Sequence, residues 1–212
     1  MKFCVIGLGR FGYQVATVLA ENGMEVLAVD SNEGIIASIR DHVTQAICMR
    51  VTEETSLKSI GIDEMDMVIV AMGEDFAQSI LITALLKKVG VPKVIARAIN
   101  EIHKDILQLV GADRVILPEK EIGIRLADNL SSPFVDIIRL TKEFAISQII
   151  APKKFIGKTV QSLHLYTTYD VRCIGLKKDE QIVAIDPSYT IQEHDRLIFA
   201  GNHDALEDIA KL

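Results

Sequence analysis

Cysteine is scarce in this chain. Its 212 residues hold three, Cys4, Cys48 and Cys173, too far apart for a metal-binding or redox pair, so no disulfide framework is expected and a reducing cytoplasm is. The first residues run straight into the strand-like KFCVI, without the charged region, apolar core and cleavage site of an export signal. No apolar run is long enough to span a bilayer. The best, Phe76 to Val89, is interrupted by Gln78, Ser79, Thr83, Lys87 and Lys88, so any membrane role is expected to work through a partner. Positive charge is not in excess either: 23 Lys and Arg against 29 Asp and Glu leave a formal charge of -6. No field is set up for nucleic acid or an anionic membrane surface. The HExxH, CxxC, GxSxG and SxxxK signatures are missing. Of the five histidines, His42 and His103 fall in helical surface patterns, and His164, His194 and His203 lie in the C-terminal part. A dehydrogenase's proton-transfer set is therefore not in evidence.

What is present is a regular alternation. Apolar, β-rich runs occur at 2–6, 25–30, 44–48, 66–72, 93–97 and 113–117, with helical stretches between them. Such alternation predicts an α/β fold: a doubly wound, Rossmann-like parallel sheet of six strands, for which the order 3-2-1-4-5-6 is the one that would set the loop after the third strand beside a ligand's adenine. Gly23 is expected to end a first helix over 11–22, Ser31 or Asn32 to cap a second, and Asp75 to cap the apolar helix that ends at Gly90. After a helix over 119–130, Ser131, Ser132 and Pro133 break the pattern. The expected domains are therefore 1–133 and, beyond it, a small α+β unit over 134–212. That second unit is small for a self-sufficient core and is expected to pair with a copy of itself.

GLGRFG at 7–12 follows a strand and opens a helix, the context in which a GxGxxG pattern gains meaning. Gly7 would permit the tight turn, Gly9 would let backbone N–H groups approach a pyrophosphate, and Gly12 would let the helix lie close on the sheet. The helix N-terminus and Arg10 would supply positive charge. Asp30 stands 18 residues past Gly12 at the end of the second strand, where a carboxylate accepts ribose hydroxyls and repels a 2′-phosphate. NAD or an unphosphorylated adenine nucleotide is therefore favoured over NADP. The alternative is an Asp that caps the next helix, although Ser31 and Asn32 are nearer; Asn32 is also in reach of a ribose. Arg50, Val51 and Thr52 follow the third strand, where an adenine edge would rest. Ala71, Met72 and Gly73 end the fourth strand beside the switch point and Arg97 ends the fifth, each open to a packing role as well as a ligand role.

CVIGLGRFG at 4–12, EVLAVDSNE at 25–33, VIVAMG at 68–73 and GADRVILPEKEIG at 111–123 together resemble the regulatory subunits of bacterial potassium transporters. These form the TrkA/Ktr group, with RCK (KTN) nucleotide-binding domains. The likeness continues through the small domain, which is similar to the RCK C-terminal (TrkA-C) module, and one such pair of domains looks more like a Ktr-type chain than tandem TrkA. The resemblance implies homodimers assembled into an octameric ring beneath a membrane-embedded potassium-translocating subunit (TrkH/KtrB-like), with the chain cytoplasmic and peripheral to the membrane. It implies ATP/ADP or NAD(H) as a regulatory ligand that is not consumed. By motif it assigns Gly7, Gly9, Arg10, Phe11, Gly12, Asp30, Ser31, Asn32, Arg97 and Glu119 to the nucleotide site, with Glu119 near a Mg2+ or Na+ ion at a dimer interface. Two departures stand out. Arg50 and Val51 replace the small or acidic pair common before Thr52, and Tyr166 in LHLYTTYD takes the place of an Arg used for cyclic di-AMP, which argues against that ligand. The rival reading is a small NAD-dependent oxidoreductase.

Overall fold

A computed structural model describes residues 1–73, 75–131, 136–179 and 181–212. The chain divides into two compact units, Met1–Lys120 and Glu121–Leu212. Ser132 and Pro133, where the sequence reading places a domain boundary, lie outside the described residues.

In the first unit, strands β1 (Lys2–Ile6), β2 (Glu25–Asp30), β3 (Gln45–Cys48), β4 (Met67–Val70), β5 (Val94–Arg97) and β6 (Arg114–Ile116) form one sheet. Every pair is parallel, as the alternation predicts, and the order is β3-β2-β1-β4-β5-β6, the doubly wound order. Side chains alternate between faces. Phe3, Val5, Val26, Ala28 and Ile69 enter one core with Ala16 of α1 (Arg10–Glu21) and Ile36 of α2 (Glu33–Ile39). Cys4, Ile6, Leu27, Val29, Val68 and Val70 enter the opposite core. It also takes Leu57 of α3 (Glu54–Ser59), Ile82 and Leu86 of α4 (Phe76–Lys88), and Leu107 of α5 (Glu101–Leu109). Both faces are covered, which is why these strands read as unbroken apolar runs.

The helix ends follow their local chemistry. Asn32 caps α2 by accepting from the N–H groups of Gly34 and Ile35 at 2.9 and 3.2 Å, and Asp75 caps α4 by accepting from Gln78 N–H at 2.9 Å. Gly23 and Gly90 follow α1 and α4 with φ of 78° and 86°, conformations that only glycine adopts freely.

The second unit carries β7 (Asp136–Arg139), β8 (Phe144–Ile150), β9 (Val171–Lys178), β10 (Gln181–Ala184) and β11 (Arg196–Asn202) in an antiparallel sheet ordered β10-β9-β11-β8-β7. Helix α7 (Leu165–Tyr169) and the final helix α8 (His203–Ala210) complete it. Phe199 and Leu197 of β11 pack with Leu206 and Ile209 of α8. The sequence reading misses β7 and α7, each of five residues or fewer. The C-terminal part of helix α6 (Pro118–Ser131) is tied to β7: Arg139 Nε donates to Asp128 Oδ2 at 2.7 Å, and Ile137 N–H donates to Asn129 Oδ1 at 3.1 Å.

His103 corrects the sequence reading. It is fully buried, not on the surface. On α5 the inward stripe is His103 and Leu107, one turn apart, while Ile102 and Leu109 face outward at 70% and 85% exposure. His103 Nε2 lies 2.8 Å from Ser79 Oγ, Ile99 N–H donates to Nδ1 at 3.4 Å, and the Phe76 ring sits 4.4 Å away. A neutral ring with its proton on Nε2 satisfies both neighbours, and desolvation holds the His103 pKa below its ordinary value. The unfolded chain therefore takes up this proton first as pH falls, so the stabilisation is complete above about pH 6.5 and is lost below it. Thermal unfolding followed from about pH 7.5 to about pH 5.5 should show a fall in midpoint that is smaller in His103→Gln. Equal falls in the two proteins would refute the buried neutral imidazole.

Candidate functional site

The three glycines of the β1–α1 turn meet different constraints. Gly7 has φ of 89°, and a Cβ there would stand 2.7 Å from Met72 Cγ; its N–H donates to Val29 O at 2.8 Å. At Gly12 a Cβ would be driven into the Gly7 carbonyl and to 2.9 Å from Ala71 Cβ, so α1 and the end of β4 approach only because this residue has no side chain. Around Gly9 nothing lies within 4 Å of an added Cβ. Gly9 is extended at the N-cap of α1 and no side chain caps that helix. The first N–H groups of α1 have no acceptor within the helix, and the positive end of its dipole lies at this turn.

Asp30 closes the turn from the side. Its Oδ2 accepts from Leu8 N–H at 2.7 Å and its Oδ1 from Asn32 N–H at 2.9 Å. Each carboxylate oxygen has a further lone pair, so Asp30 both clamps the glycine loop and keeps accepting capacity. Asn32 spends its side-chain oxygen as the α2 cap, which supports the capping reading of that residue more directly than a ribose contact.

A hollow beside the turn is lined by Gly7, Asp30, Ser31, Arg50, Val51 and Met72, all singled out in the sequence, together with Met49 and Gln78. Gln78 Nε2 donates to the Val51 carbonyl at 3.1 Å, joining α4 to the loop after β3. Gln78 and Met49 escape sequence reasoning: Gln78 is one of several polar residues in its helix, and nothing local marks it off from Ser79 or Thr83. Thr52 is exposed and outside the lining, and Ala71 is buried at the base of the turn.

The remaining expected residues gather over β4 and β5. Arg97 forms an ion pair with Glu119. Its guanidinium lies 6.0 Å from the Phe11 ring centroid, and Nη1 would collide with any Cβ at Gly73. Glu119 is two-thirds exposed at the start of α6; its own backbone N–H and then the Arg97 guanidinium hold its carboxyl below the ordinary range, against a desolvation that raises it. Arg10 is exposed on the first turn of α1. Among the described residues, no three His, Cys, Asp or Glu side chains gather as a metal site. Glu119 alone is too small a donor set, so a cation there needs ligands from outside this chain.

Residues 3–118 match the TrkA-N domain family and residues 145–212 the TrkA-C domain family. This chain belongs to the TrkA/Ktr family. The Ktr system potassium uptake protein A of Bacillus subtilis is 36% identical to it over 203 residues, 95% of this chain and 91% of that protein. Protein A of the Vibrio alginolyticus Ktr system is 35% identical over 212 residues, 99% of this chain and 96% of that one. The RCK domain of GsuK superposes with a TM-score of 0.54 at 22% identity over 99% of this chain, a likeness of fold alone, and GsuK bound to ADP does so with 0.54 at 26% identity over 61%. This TrkA/Ktr chain spans 46% and 33% of those two solved chains.

The glycine geometry separates packing from access. Gly12→Ala should destabilise the fold by about 1–3 kcal/mol through overpacking, while Gly9→Ala, in open space at an allowed φ, should leave stability within about 0.5 kcal/mol. Urea unfolding of the two variants checks this, and equal losses would contradict it.

Proposed function

We propose that this TrkA/Ktr chain is a non-enzymatic, nucleotide-sensing cytoplasmic subunit. It regulates a membrane-embedded potassium-translocating partner and lies against the inner face of the membrane through it. The observation that carries this reading is Asp30, which clamps the glycine loop through Leu8 N–H at 2.7 Å at the rim of the hollow that Arg50, Val51 and Met72 also line. In this reading the open N–H groups at Gly9 and the N-terminus of α1 take the phosphates. The spare lone pairs of Asp30 take the ribose hydroxyls, and the hollow between Met72 and Val51 receives the base.

Support comes from three directions. The relatives are named as potassium uptake proteins. Neighbours of the same fold are described as bound to NAD and to ADP. Among the described residues no helix is long and apolar enough to cross a membrane, so the membrane function falls to a partner. Homodimers closing into an octameric ring would give the ligand a shape to change. Thermodynamically it acts only through the difference in its affinity for two ring shapes, and no bond in the ligand need be broken. A cation beside Glu119 would take its other ligands from the phosphates and a second copy of the chain.

Asp30→Ala should abolish the thermal stabilisation of the purified protein by ATP or ADP. It should also lower the ligand-free stability by about 1–3 kcal/mol, since the Leu8 and Asn32 N–H groups lose their acceptor. A ligand-induced shift of unchanged size would remove Asp30 from the site. Solution scattering should give different particle dimensions with ATP and with ADP, and superimposable profiles would refute gating by ligand.

A further inference from the structure

In the second unit four side chains meet where the end of α6, strand β7 and the start of α8 come together. Arg139 of β7 grips Asp128 of α6 with two arms of its fork, Nε donating to Oδ2 at 2.7 Å and Nη2 to Oδ1 at 3.2 Å. The same Nη2 lies 3.1 Å from Nε2 of His203, the first residue of α8. A guanidinium has donors and no acceptor, so this contact is a hydrogen bond only when Nε2 offers a lone pair. Such a contact requires a neutral imidazole. Nε2 is also 3.4 Å from Glu207 Oε1, one turn along α8. Glu207 is ionised: a hydrogen bond from Lys211 at 3.0 Å holds its carboxyl below the ordinary range, and the nearby cations add to that against desolvation. Of the other neighbours, Asp204 follows on α8, and Glu143 accepts from His203 N–H at 2.8 Å through its backbone carbonyl. Of the strands under α8, β8 has no titratable residue and β11 has only Arg196, at the end away from His203.

We infer that His203 is a pH-sensitive latch between α8 and the α6–β7 junction: neutral, it accepts from Arg139 and ties α8 to that junction; protonated, it releases Arg139 and turns its N–H to Glu207. The inference goes beyond the nucleotide-site reading and uses none of its residues. One proton from solvent adds to the Nε2 lone pair, and no other covalent bond changes. With the lone pair gone, two cations face each other across 3.1 Å at an imidazole side chain only 17% exposed, where water screens poorly. The place on α8 adds to the penalty, since a helix dipole disfavours a cation in its first turn. Glu207 offers the way out, because its carboxylate lies within reach of the new donor. Arg139 then keeps Asp128 and loses its tie to α8. Helix α6 carries the chain from the first unit into the second. A proton taken up at His203 therefore acts on the segment that joins the two units, in the pH range where histidines change charge.

Hydrogen exchange read by mass spectrometry on the intact protein, with rates corrected for the intrinsic effect of pH, tests this. From about pH 8 to about pH 5.5, the segments 136–139 and 203–210 should lose protection about tenfold, the size expected for one hydrogen bond to a charged donor. His203→Gln, which keeps an uncharged acceptor for Arg139, should hold the same protection at both ends of the range. Glu207→Gln removes the carboxylate that receives the protonated ring and should move the transition to lower pH. Arg139→Gln should leave both segments equally unprotected throughout, and it decides the matter if His203→Gln does not fold. Unchanged protection across the range in the unaltered protein, or a loss of full size in His203→Gln or, failing that variant, in Arg139→Gln, would overturn the latch. A transition left in place by Glu207→Gln would overturn the exchange of partners on which the latch depends.

Discussion

The bond from Leu8 N–H to Asp30 Oδ2 is the constraint on which the first unit's functional edge depends. It joins the turn after β1 to the end of β2, and the second oxygen of the same carboxylate holds the turn into α2 through Asn32 N–H. One side chain thereby shapes two loops at the carboxyl edge of the sheet, where doubly wound folds bind their ligands. The backbone of the glycine turn is preorganised before any ligand arrives, so less ordering has to be supplied on binding. In the function proposed here, ligand recognition and local stability are therefore not separable properties at position 30.

Arg97 plays the corresponding part on the other side of the switch point, by a different means. Where Asp30 works through backbone donors, Arg97 works through side chains contributed by α1 and α6 and through the missing side chain of Gly73. Its partner Glu119 is largely exposed, so the pair adds little to stability through Coulomb attraction alone. Its weight is geometric. The guanidinium stays in one place because aromatic, glycine and carboxylate neighbours all restrict it.

Much of this was legible in the sequence, and the parts that were not share a physical cause. The parallel sheet followed from apolar runs spaced by helical stretches, since a sheet covered on both faces leaves that imprint along the chain. Caps such as Asn32 and Asp75 were legible because their partners lie within three residues. His103 was misread because an apolar-in rule puts Ile102 inside, whereas the packed stripe runs through His103 and Leu107 and is made tolerable by Ser79 on another helix. Gln78 and the pairing of Arg97 with Glu119 depend on contacts across 27 and 22 residues of chain. Local pattern carries no record of such pairs. The match to the TrkA-N and TrkA-C families supplies context for the expected site residues, and the geometry adds how they divide into two groups.

The unequal surroundings of the three glycines have an evolutionary consequence. Gly7 and Gly12 are held by collisions inside the protein itself, with Met72, Ala71 and their own turn, whereas none of the described residues presses on Gly9. With the turn used as proposed, a descendant of this chain that lost nucleotide binding would keep the first and third glycines under purifying selection for folding alone, and the middle one would be released to drift. Position 9 is thus the one letter of the GxGxxG pattern whose retention reports on use rather than on architecture.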